Sequence, residues 1–419
     1  MAPRESRTLE FKEKVTNTFL KTVSAYANYG GGRIFFGTKD DGTITGIENP
    51  NATCLDIENR INDSLNPVPP YALEIDPAKN LIILTVRDGM DKPYLYKGKA
   101  YKRHDSATVE VSRLEYNRLV LDGTNRNFED LPAISQDLTF RVLEGKLREI
   151  LNIGTLTRDI LKTLGLYSDE SGYNRAAEIL ADENPCPGID MVRFGRNIDE
   201  LMDRETYSGV SALSLYDKAL ALFRKYYRYE KIDGASRVPV ELVPEKAFRE
   251  AIANGIVHRT WDVDAAIPVS LFRDRVEITS PGGLPPGLSE DEYLHNPISM
   301  LRNPKLANVF FRLGYIEKFG TGIRRIKNAY ADTSVKPAFR VYAESIQVLL
   351  PIIGAGNDLD TDERKVLDAL SDNRILTRTE MEAATGYNKA KLLRIIPRLL
   401  AKNVIEKVGT GRGTKYTCV

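Results

Sequence analysis

Residues 361–419, TDERKVLDALSDNRILTRTEMEAATGYNKAKLLRIIPRLLAKNVIEKVGTGRGTKYTCV, contain three helix patterns followed by two strand patterns. The first helix opens at Thr361, and a short second helix spans 379–384. Gly386 then suits a turn, and Asn388, a residue type that caps helices, starts the third helix. Apolar residues recur at helical spacing in the first and third helices and predict a shared core: Val366, Leu367, Leu370, Leu392, Ile396, Leu399 and Leu400.

The two strand patterns, 404–408 and 415–418, predict a hairpin joined by the glycine-rich loop 409–413. Three helices followed by such a hairpin are the order of a winged helix-turn-helix, which binds duplex DNA. Pro397 should kink the third helix or end it early. The candidate phosphate contacts are the basic residues on that helix and on the hairpin: Lys391, Arg394, Arg398, Arg412 and Lys415. The alternative is a small helical domain whose cations are only solvated.

The composition of the 419 residues limits the class of protein. Hydrophobic residues make up 42% and charged residues 28%, and the net charge is only +1, so a nucleic-acid surface must be a local patch. Cys54, Cys186 and Cys418 lack the spacing of a zinc module or a disulfide framework, which favours a reducing compartment. The amino terminus has no signal-peptide pattern, and no run is long and apolar enough for a membrane span. We therefore expect a cytoplasmic protein.

Changes in composition divide the chain into four predicted segments. Residues 1–122 alternate strand and helix patterns, and residues 123–205 carry helical pieces followed by an irregular stretch. Residues 206–352 begin with a long helix pattern and continue as an α/β segment. An acidic, glycine-containing linker then leads to the winged helix-turn-helix, 358–419. The predicted protein is multidomain, of mixed α/β and α+β class.

Three carboxylates near the amino terminus are candidates for chemistry. Glu5 and Glu10 lie around the start of a predicted strand, and Asp40 lies in a predicted hairpin turn before a strand at 43–46. Strand alternation would send the two glutamates to opposite faces, but a bend at 6–8 would let them converge. Three such carboxylates would hold Mg²⁺ or Mn²⁺, which can activate water against a phosphodiester. Alternatively, Asp40 only shapes the turn and both glutamates are solvated.

Two motifs of this segment match a known domain family. ESRTLEFKEKV, 5–15, has an E-x-x-x-x-E-F-K start, and VSAYANYGGGRIFFGTKDDGTITG, 23–46, has an A-x-A-N-x-x-G-G helix end and a G-x-x-D-D hairpin. The segment thereby resembles the Schlafen AlbA_2 domain, formerly called divergent AAA-4. In nucleolytic Schlafens two glutamates and an aspartate form the metal site. The resemblance implies that role for Glu5, Glu10 and Asp40.

The same resemblance implies two nucleic-acid-binding residues. Lys12 lies in the first motif, and Arg103 lies in a basic run that resembles the family's Y-x-R element. Many bacterial members resemble regulators. The resemblance therefore implies either a regulator that binds DNA or RNA, or a metal-dependent nuclease of RNA or single-stranded DNA, including a defensive one.

A second cluster of candidate residues lies between 244 and 330. KAFREAIANGIVHR, 246–259, has helical periodicity and places Glu250 and Asn254 one turn apart. Such a pair could orient a water molecule and bind a metal that carries phosphate, or it could simply form a hydrogen bond along the helix. Farther on, the turn PGGLPPG, 281–287, contains Gly282 and Gly283, and Gly320 and Gly322 precede another helix. Free backbone N–H groups at that helix start could bind phosphate.

These three elements resemble the HATPase_c_4 module, a divergent ATP-binding domain of the GHKL type. EAIANGIVHR is similar to its N-box helix, SPGGLPPGL to its first loop, and RNPKLANVFFRLGYIEKFGTGIRRI to its second. The resemblance implies that Asn254 binds magnesium and that Glu250 is the general base. Gly282 and Gly283 would belong to the first loop, and the stretch Gly320, Thr321, Gly322 would wrap the phosphates. The chain departs from the family at Ser280 and Pro281, where ordinary GHKL proteins have an adenine-binding aspartate.

AlbA_2 followed by HATPase_c_4 is common in predicted bacterial transcriptional regulators. We therefore predict a DNA-binding transcriptional regulator with an ATP-binding domain, which forms a homo-oligomer, uses ATP and Mg²⁺ or Mn²⁺, and contacts no membrane. It would bind duplex DNA through the winged helix and DNA or RNA through the amino-terminal domain. The alternatives are the metal-dependent nuclease and a non-catalytic nucleic-acid-binding scaffold. The altered adenine loop favours the scaffold, and the intact carboxylates favour the nuclease.

Overall fold

The computed structural model describes most of the chain. The described ranges are 4–233, 236–285, 288–296, 300–317, 320–333, 335–353, 360–370, 374–401, 404–409 and 414–418. The chain divides into two compact units, Met1–Leu131 with Pro285–Leu288 and Pro132–Leu284 with Ser289–Val419. Within the described ranges, no helix is both long and apolar enough to cross a membrane.

The first unit is built around a four-stranded sheet. In chain order its elements are β1 (Leu9–Lys12), α1 (Phe19–Asn28), β2 (Gly32–Phe36), α2 (Pro50–Ser64), β3 (Leu65–Asn66), β4 (Tyr71–Asp76), β5 (Leu81–Val86), β6 (Leu95–Tyr96), β7 (Tyr101–His104), β8 (Ala107–Glu110) and α3 (Arg113–Gly123). The sheet order is β1-β2-β5-β4. β1 and β2 are parallel, because α1 supplies the crossover between them, and the other pairs are antiparallel.

The A-x-A-N-x-x-G-G motif at the end of α1 makes hydrogen bonds and close packing contacts within the unit. Asn28 accepts a hydrogen bond from the Tyr94 backbone N–H at 2.8 Å and donates one to the Tyr94 carbonyl at 2.9 Å. A β-carbon on Gly31 would lie 2.8 Å from the Val86 carbonyl oxygen, and one on Gly32 would lie 2.6 Å from the Tyr26 ring. The motif residues therefore hold α1 and β2 against the rest of the unit.

The predicted strand 43–46 does not form. Only an isolated bridge joins Thr38 to Ile44. The Asp41 carboxylate accepts the Thr43 N–H at 2.8 Å, and Thr45 and Gly46 both donate to the carbonyl of Gly37. These turn contacts occupy the backbone groups that a regular strand pair would use.

The larger part of the second unit is an α/β assembly around a six-stranded sheet. In chain order its elements are α4 (Arg141–Leu151), α5 (Arg158–Thr163), β9 (Tyr167–Ser168), β10 (Gly172–Tyr173), α6 (Arg175–Leu180), β11 (Ile189–Phe194), β12 (Leu201–Tyr207), α7 (Ala212–Tyr227), β13 (Arg228–Asp233), β14 (Ser236–Glu241), α8 (Glu245–His258), β15 (Ile267–Leu271), β16 (Arg275–Pro281), α9 (Glu290–His295), α10 (Pro304–Arg312), α11 (Gly322–Ala329), β17 (Ala338–Val341) and β18 (Ser345–Pro351). The sheet order is β12-β11-β15-β16-β18-β17, in which β11 and β15 are parallel. The apolar face of α8 is buried and packs on α7, α11 and β16.

This sheet includes strands from the predicted connector 123–205. β11 lies inside that range and β12 crosses its end, and together they form one side of the sheet. The apolar run of β11 is short and follows an irregular, proline-containing stretch, so the sequence pattern did not predict a strand there. The first unit also extends to Leu131, beyond the predicted end at residue 122.

The carboxyl-terminal segment folds around its own apolar core. Its elements are α12 (Thr361–Ala369), β19 (Leu376–Thr377), α13 (Arg378–Thr385), α14 (Lys389–Ala401), β20 (Ile405–Val408) and β21 (Lys415–Cys418), with sheet order β19-β21-β20. Five predicted core residues are buried, and two, Leu367 and Leu400, pack partly buried against them. The Asn388 side chain accepts the Lys391 N–H at 2.9 Å, as a helix cap should, and Gly386 has a φ of 68°.

Pro397 does not end α14, which continues to Ala401. Pro397 has no N–H to donate to the carbonyl of Leu393, four residues earlier. Both residues lie on the exposed side of the helix. Water can bond to that carbonyl, so the helix tolerates the proline at this position.

Candidate functional sites

Glu10 is buried in the first unit with partners on both carboxylate oxygens. Its side chain on β1 is only 5% exposed. Oε2 accepts a hydrogen bond from the Thr22 hydroxyl at 2.9 Å and forms an ion pair with Arg103, while Oε1 lies 2.7 Å from Lys12 Nζ. A buried carboxylate is tolerated because it is paired and hydrogen-bonded in this way.

Arg103 is equally buried and is fixed by several acceptors. Besides Glu10, its guanidinium donates to Thr108 Oγ1 and to the Ser6 carbonyl, both at 3.1 Å, and it lies over the Tyr26 ring. An arginine that binds nucleic-acid phosphate needs an accessible guanidinium. In place of the predicted phosphate contact, Arg103 stabilises the buried carboxylate, and Lys12 shares that role.

The structure does not assemble the predicted metal site. Oε1 of Glu5 accepts the Phe11 N–H at 2.9 Å, and Asp40 is exposed in its turn. The chain does bend between the glutamates, but the bend directs Glu5 to the backbone. Over the described ranges, no group of three or more histidine, cysteine, aspartate or glutamate side chains is placed to hold a metal ion. The residues present do not fit Mg²⁺ or Mn²⁺, because two cations already neutralise Glu10.

In the second unit, Glu250 and Asn254 form a hydrogen-bonded pair on α8. Asn254 Nδ2 donates to Glu250 Oε1 at 3.2 Å. Glu250 is buried, and burial raises the pKa of its carboxyl, an effect that Arg325 on α11 partly opposes from 3.9 Å. Arg325 also forms a 2.8 Å ion pair with Glu317. Arg325 was not predicted from the sequence, although its spacing of three residues from Gly322 places both on one face of α11.

The glycine-containing start of α11 lies directly against this pair. A β-carbon on Gly322 would lie 2.5 Å from Asn254 Nδ2 and 2.9 Å from Glu250 Oε1, so a larger residue here would force the ends of both side chains to move. Gly320 has a φ of 62°, a conformation that favours glycine, and Thr321 occupies the N-cap position of α11. The structure therefore brings together the loop residues 320–322 and the α8 pair.

The other predicted loop is held by packing and by an arginine. Gly282 has a φ of 107°, and a β-carbon there would collide with Thr260 and Arg302, while one on Gly283 would collide with the Ala343 carbonyl. Arg302 donates to the Gly283 carbonyl at 2.7 Å and to the Thr260 hydroxyl. These contacts explain both glycines without a ligand, and a phosphate-loop role for them stays a prediction. Pro286 and Gly287 of the same turn lie outside the described residues.

Two polar residues beside this loop serve the fold. The Ser280 hydroxyl donates to the Gly255 carbonyl at 2.9 Å and so connects β16 to α8. Burial, with Arg302 nearby, lowers the pKa of His258 to about 4, so this imidazole is neutral at physiological pH.

The basic residues of the carboxyl-terminal segment differ in accessibility. Arg394, Arg398 and Lys415 are exposed, with Arg398 3.5 Å from Asp360. Lys391 is half-buried: its Nζ lies 2.7 Å from Asp362 Oδ1 and 3.9 Å from the centre of the Tyr387 ring. Lys391 therefore contributes to packing between α14 and α12, and the phosphate contact predicted for it stays a prediction. Arg412 lies outside the described residues.

Two family models match parts of the chain and confirm both resemblances. Residues 5–112 match the Schlafen AlbA_2 model, and residues 264–350 match HATPase_c_4, described as "Putative ATP-dependent DNA helicase recG C-terminal". The chain is a mixed α/β multidomain protein with an AlbA_2 domain and a HATPase-like domain. The second match begins after α8, so Glu250 and Asn254 precede it, whereas Gly282, Gly283 and the loop 320–322 lie within it.

The chain is similar to several solved structures, two of which are described here. The DIP2311 protein of Corynebacterium diphtheriae is 16% identical with a TM-score of 0.47, over 99% of this chain and 95% of that chain. The amino-terminal domain of a RecG-related protein of Nitrosomonas europaea, titled a putative ATP-dependent DNA helicase, is 21% identical with a TM-score of 0.19, over 25% of this chain and 80% of that chain. No curated protein matches the chain.

Proposed function

We propose that the chain is a DNA-binding regulatory protein whose central domain binds ATP. The observation that carries the proposal is the exposed, basic outer side of α14, which includes Arg394 and Arg398. Helices α12, α13 and α14 with the β20–β21 hairpin have the element order of a winged helix-turn-helix. In that arrangement α14 lies in the major groove, and Lys415 contacts the phosphate backbone from the hairpin.

The nucleotide site is the α8 pair together with the loop 320–322. Gly322 approaches Asn254 and Glu250 closely, so the start of α11, where the first backbone N–H groups have no helical partners, lies beside the pair. Asn254 would hold the magnesium ion that accompanies ATP, and Glu250, whose pKa is raised by burial, suits a general base. When bound, ATP supplies a phosphoanhydride bond, and the protein groups orient and deprotonate water beside it. The matched family is itself described as ATP-dependent, which supports the assignment.

The nuclease alternative has no comparable support. A metal ion at Glu10 would have to displace two cations from a carboxylate that is 5% exposed. We therefore assign the first unit a binding or scaffolding role.

The test of DNA binding is a salt titration of duplex affinity with the full-length chain. The triple variant Arg394→Ala, Arg398→Ala, Lys415→Ala should bind more weakly, and the slope of log K against log salt should fall by roughly 0.9 per lost contact. Arg148→Ala is the matched control, because Arg148 is exposed on α4 and pairs with Glu144. Equal affinity of the triple variant and wild type for every duplex would refute the proposal.

The test of the nucleotide site separates binding from hydrolysis. Calorimetry with ATP and Mg²⁺ should show binding to wild type and its loss in Asn254→Ala. Glu250→Gln should bind ATP but lose hydrolysis, whereas Glu245→Gln, on the first turn of the same helix and paired with Arg224, should keep both. Absence of ATP binding to wild type would contradict the ATP assignment and leave the DNA assignment in place.

A further inference from the structure

An apolar stripe runs along the outer face of α14. In a helix, residues three, four and seven positions apart share a face, so Ala390, Leu393 and Pro397 lie in one row. All three are exposed, and Leu393 leaves 52% of its surface in water. The buried residues Leu392 and Ile396 lie on the opposite face and fill the core of the segment. The stripe therefore points away from its own domain.

Cations lie on both sides of this stripe. By helical spacing, Arg394 and Arg398 follow one side, and Lys389 lies on the other. All three are exposed. The major groove presents the same arrangement in reverse: phosphates line both edges, and the base edges lie between them.

We infer that Leu393 is a specificity-determining residue that contacts thymine methyl groups in the major groove. The inference rests on the proposed DNA-binding function. Among the groups that base pairs present in this groove, the thymine C5-methyl is the apolar one, and small or apolar side chains contact it. Ala390 is short enough to let the helix come close, while Arg394 and Lys389 bind phosphates on either side. The preferred duplex then contains thymine under the middle of α14.

The charge pattern selects DNA over a second copy of the chain. A two-fold contact through this face would place the Arg394 and Lys389 rows of both copies around the same apolar centre, and like charges in an interface disfavour association. Two negatively charged DNA strands complement both rows at once.

The test removes the methyl group and leaves the rest of the DNA unchanged. Duplexes that bind full-length wild type are selected from a random pool. The best site is then synthesised with deoxyuridine in place of each thymine in turn, and affinity is measured by fluorescence anisotropy. We expect an affinity loss of about fourfold at the contacted position, because burying one methyl contributes ~0.8 kcal/mol.

Protein variants assign that loss to the side chain. Leu393→Ala should still bind duplex DNA but should bind the thymine and uracil forms equally. Leu201→Ala, which removes another exposed leucine, from β12, should discriminate as wild type does. Arg394→Ala should weaken both forms by the same factor and keep the discrimination. Circular dichroism checks that each variant retains its helix content.

Several outcomes would overturn the inference. Equal binding of thymine and uracil duplexes by wild type would do so, as would discrimination that persists in Leu393→Ala or selected sites without thymine. Sedimentation that shows a wild-type dimer and a Leu393→Ala monomer would assign the face to a second copy of the chain. If wild type binds no duplex at all, the DNA-binding proposal itself fails. If wild type binds duplex DNA without any dependence on the thymine methyl, only the inference about Leu393 fails.

Discussion

Substitution of Arg103 should destabilise the first unit more than substitution of an exposed residue does, because it breaks a buried ion pair. Arg103→Met keeps the length and packing of the side chain but leaves Glu10 without its closest cation. Breaking a buried ion pair from one side costs about 3–5 kcal/mol. Lys12 remains 2.7 Å from the other carboxylate oxygen, so we expect the lower end, about 3 kcal/mol. That value corresponds to a rise of roughly a hundredfold in the opening equilibrium.

Hydrogen exchange is the assay that can localise this effect. The chain contains one tryptophan, Trp261, which lies in the second unit, so its fluorescence does not report on the first unit. Exchange measured by mass spectrometry on peptides from β1 and α1 should speed up in Arg103→Met, while peptides from the second unit should not change. The double variant Glu10→Gln with Arg103→Met should recover part of the loss, because it leaves no buried charge without a partner.

The same assay distinguishes the ion pair from a metal site. If Glu10 served a metal ion, Mn²⁺ would replace the missing guanidinium and restore protection in Arg103→Met. An ion pair that only stabilises the fold predicts equal exchange with and without Mn²⁺. If Arg103→Met exchanged its amide hydrogens as slowly as wild type, the Glu10–Arg103 pair would not contribute to the stability of the first unit.

Two further predictions concern the second unit. Gly322→Ala should weaken nucleotide binding, because the added β-carbon would force the ends of the Asn254 and Glu250 side chains to move. Gly145→Ala, in α4 with no other segment within 4 Å of the added carbon, should keep nucleotide binding, and equal binding by the two variants in calorimetry would contradict the close approach at Gly322. His258, with a pKa lowered from 6.5 to about 4, contributes stability that is present above pH 6.5 and lost as the pH falls towards 4, because the unfolded chain takes up the proton first. His258→Gln should flatten this dependence when unfolding is followed by Trp261 fluorescence, and an unchanged pH profile would argue against a buried neutral imidazole.

Local patterns predicted the helices and several contacts well. The predicted helix 246–259 differs from α8 by one residue at each end, and the predicted N-cap at Asn388 forms its hydrogen bond. Such features depend on residues within about one helical turn, which the sequence shows directly. The pairing of Glu250 with Asn254 follows from the same spacing.

Long-range contacts were the ones that sequence patterns did not reveal. Arg103 lies 93 residues after Glu10, and no periodicity indicates that the two side chains pair in the interior. The parallel pairing of β11 with β15 joins segments more than 70 residues apart, so local patterns did not show that β11 belongs to this sheet. Sequence chemistry identified the charged residues, but only the fold decides whether a charge faces solvent or a buried partner.

The partners of each polar group distinguish the three candidate sites. In the first unit, Glu10 pairs with Arg103, and Asn28 bonds to the Tyr94 backbone, so these three motif residues stabilise the fold. At the α8 pair, burial raises the pKa of the Glu250 carboxyl and the start of α11 lies against it, which supports the proposed nucleotide site. On α14, Arg394, Arg398 and Leu393 are exposed and lie outside the core of the segment, so they are accessible to the proposed DNA. The proposed recognition of DNA therefore rests on surface residues of the carboxyl-terminal segment, whereas Glu10 and Arg103 of the first unit stabilise its fold.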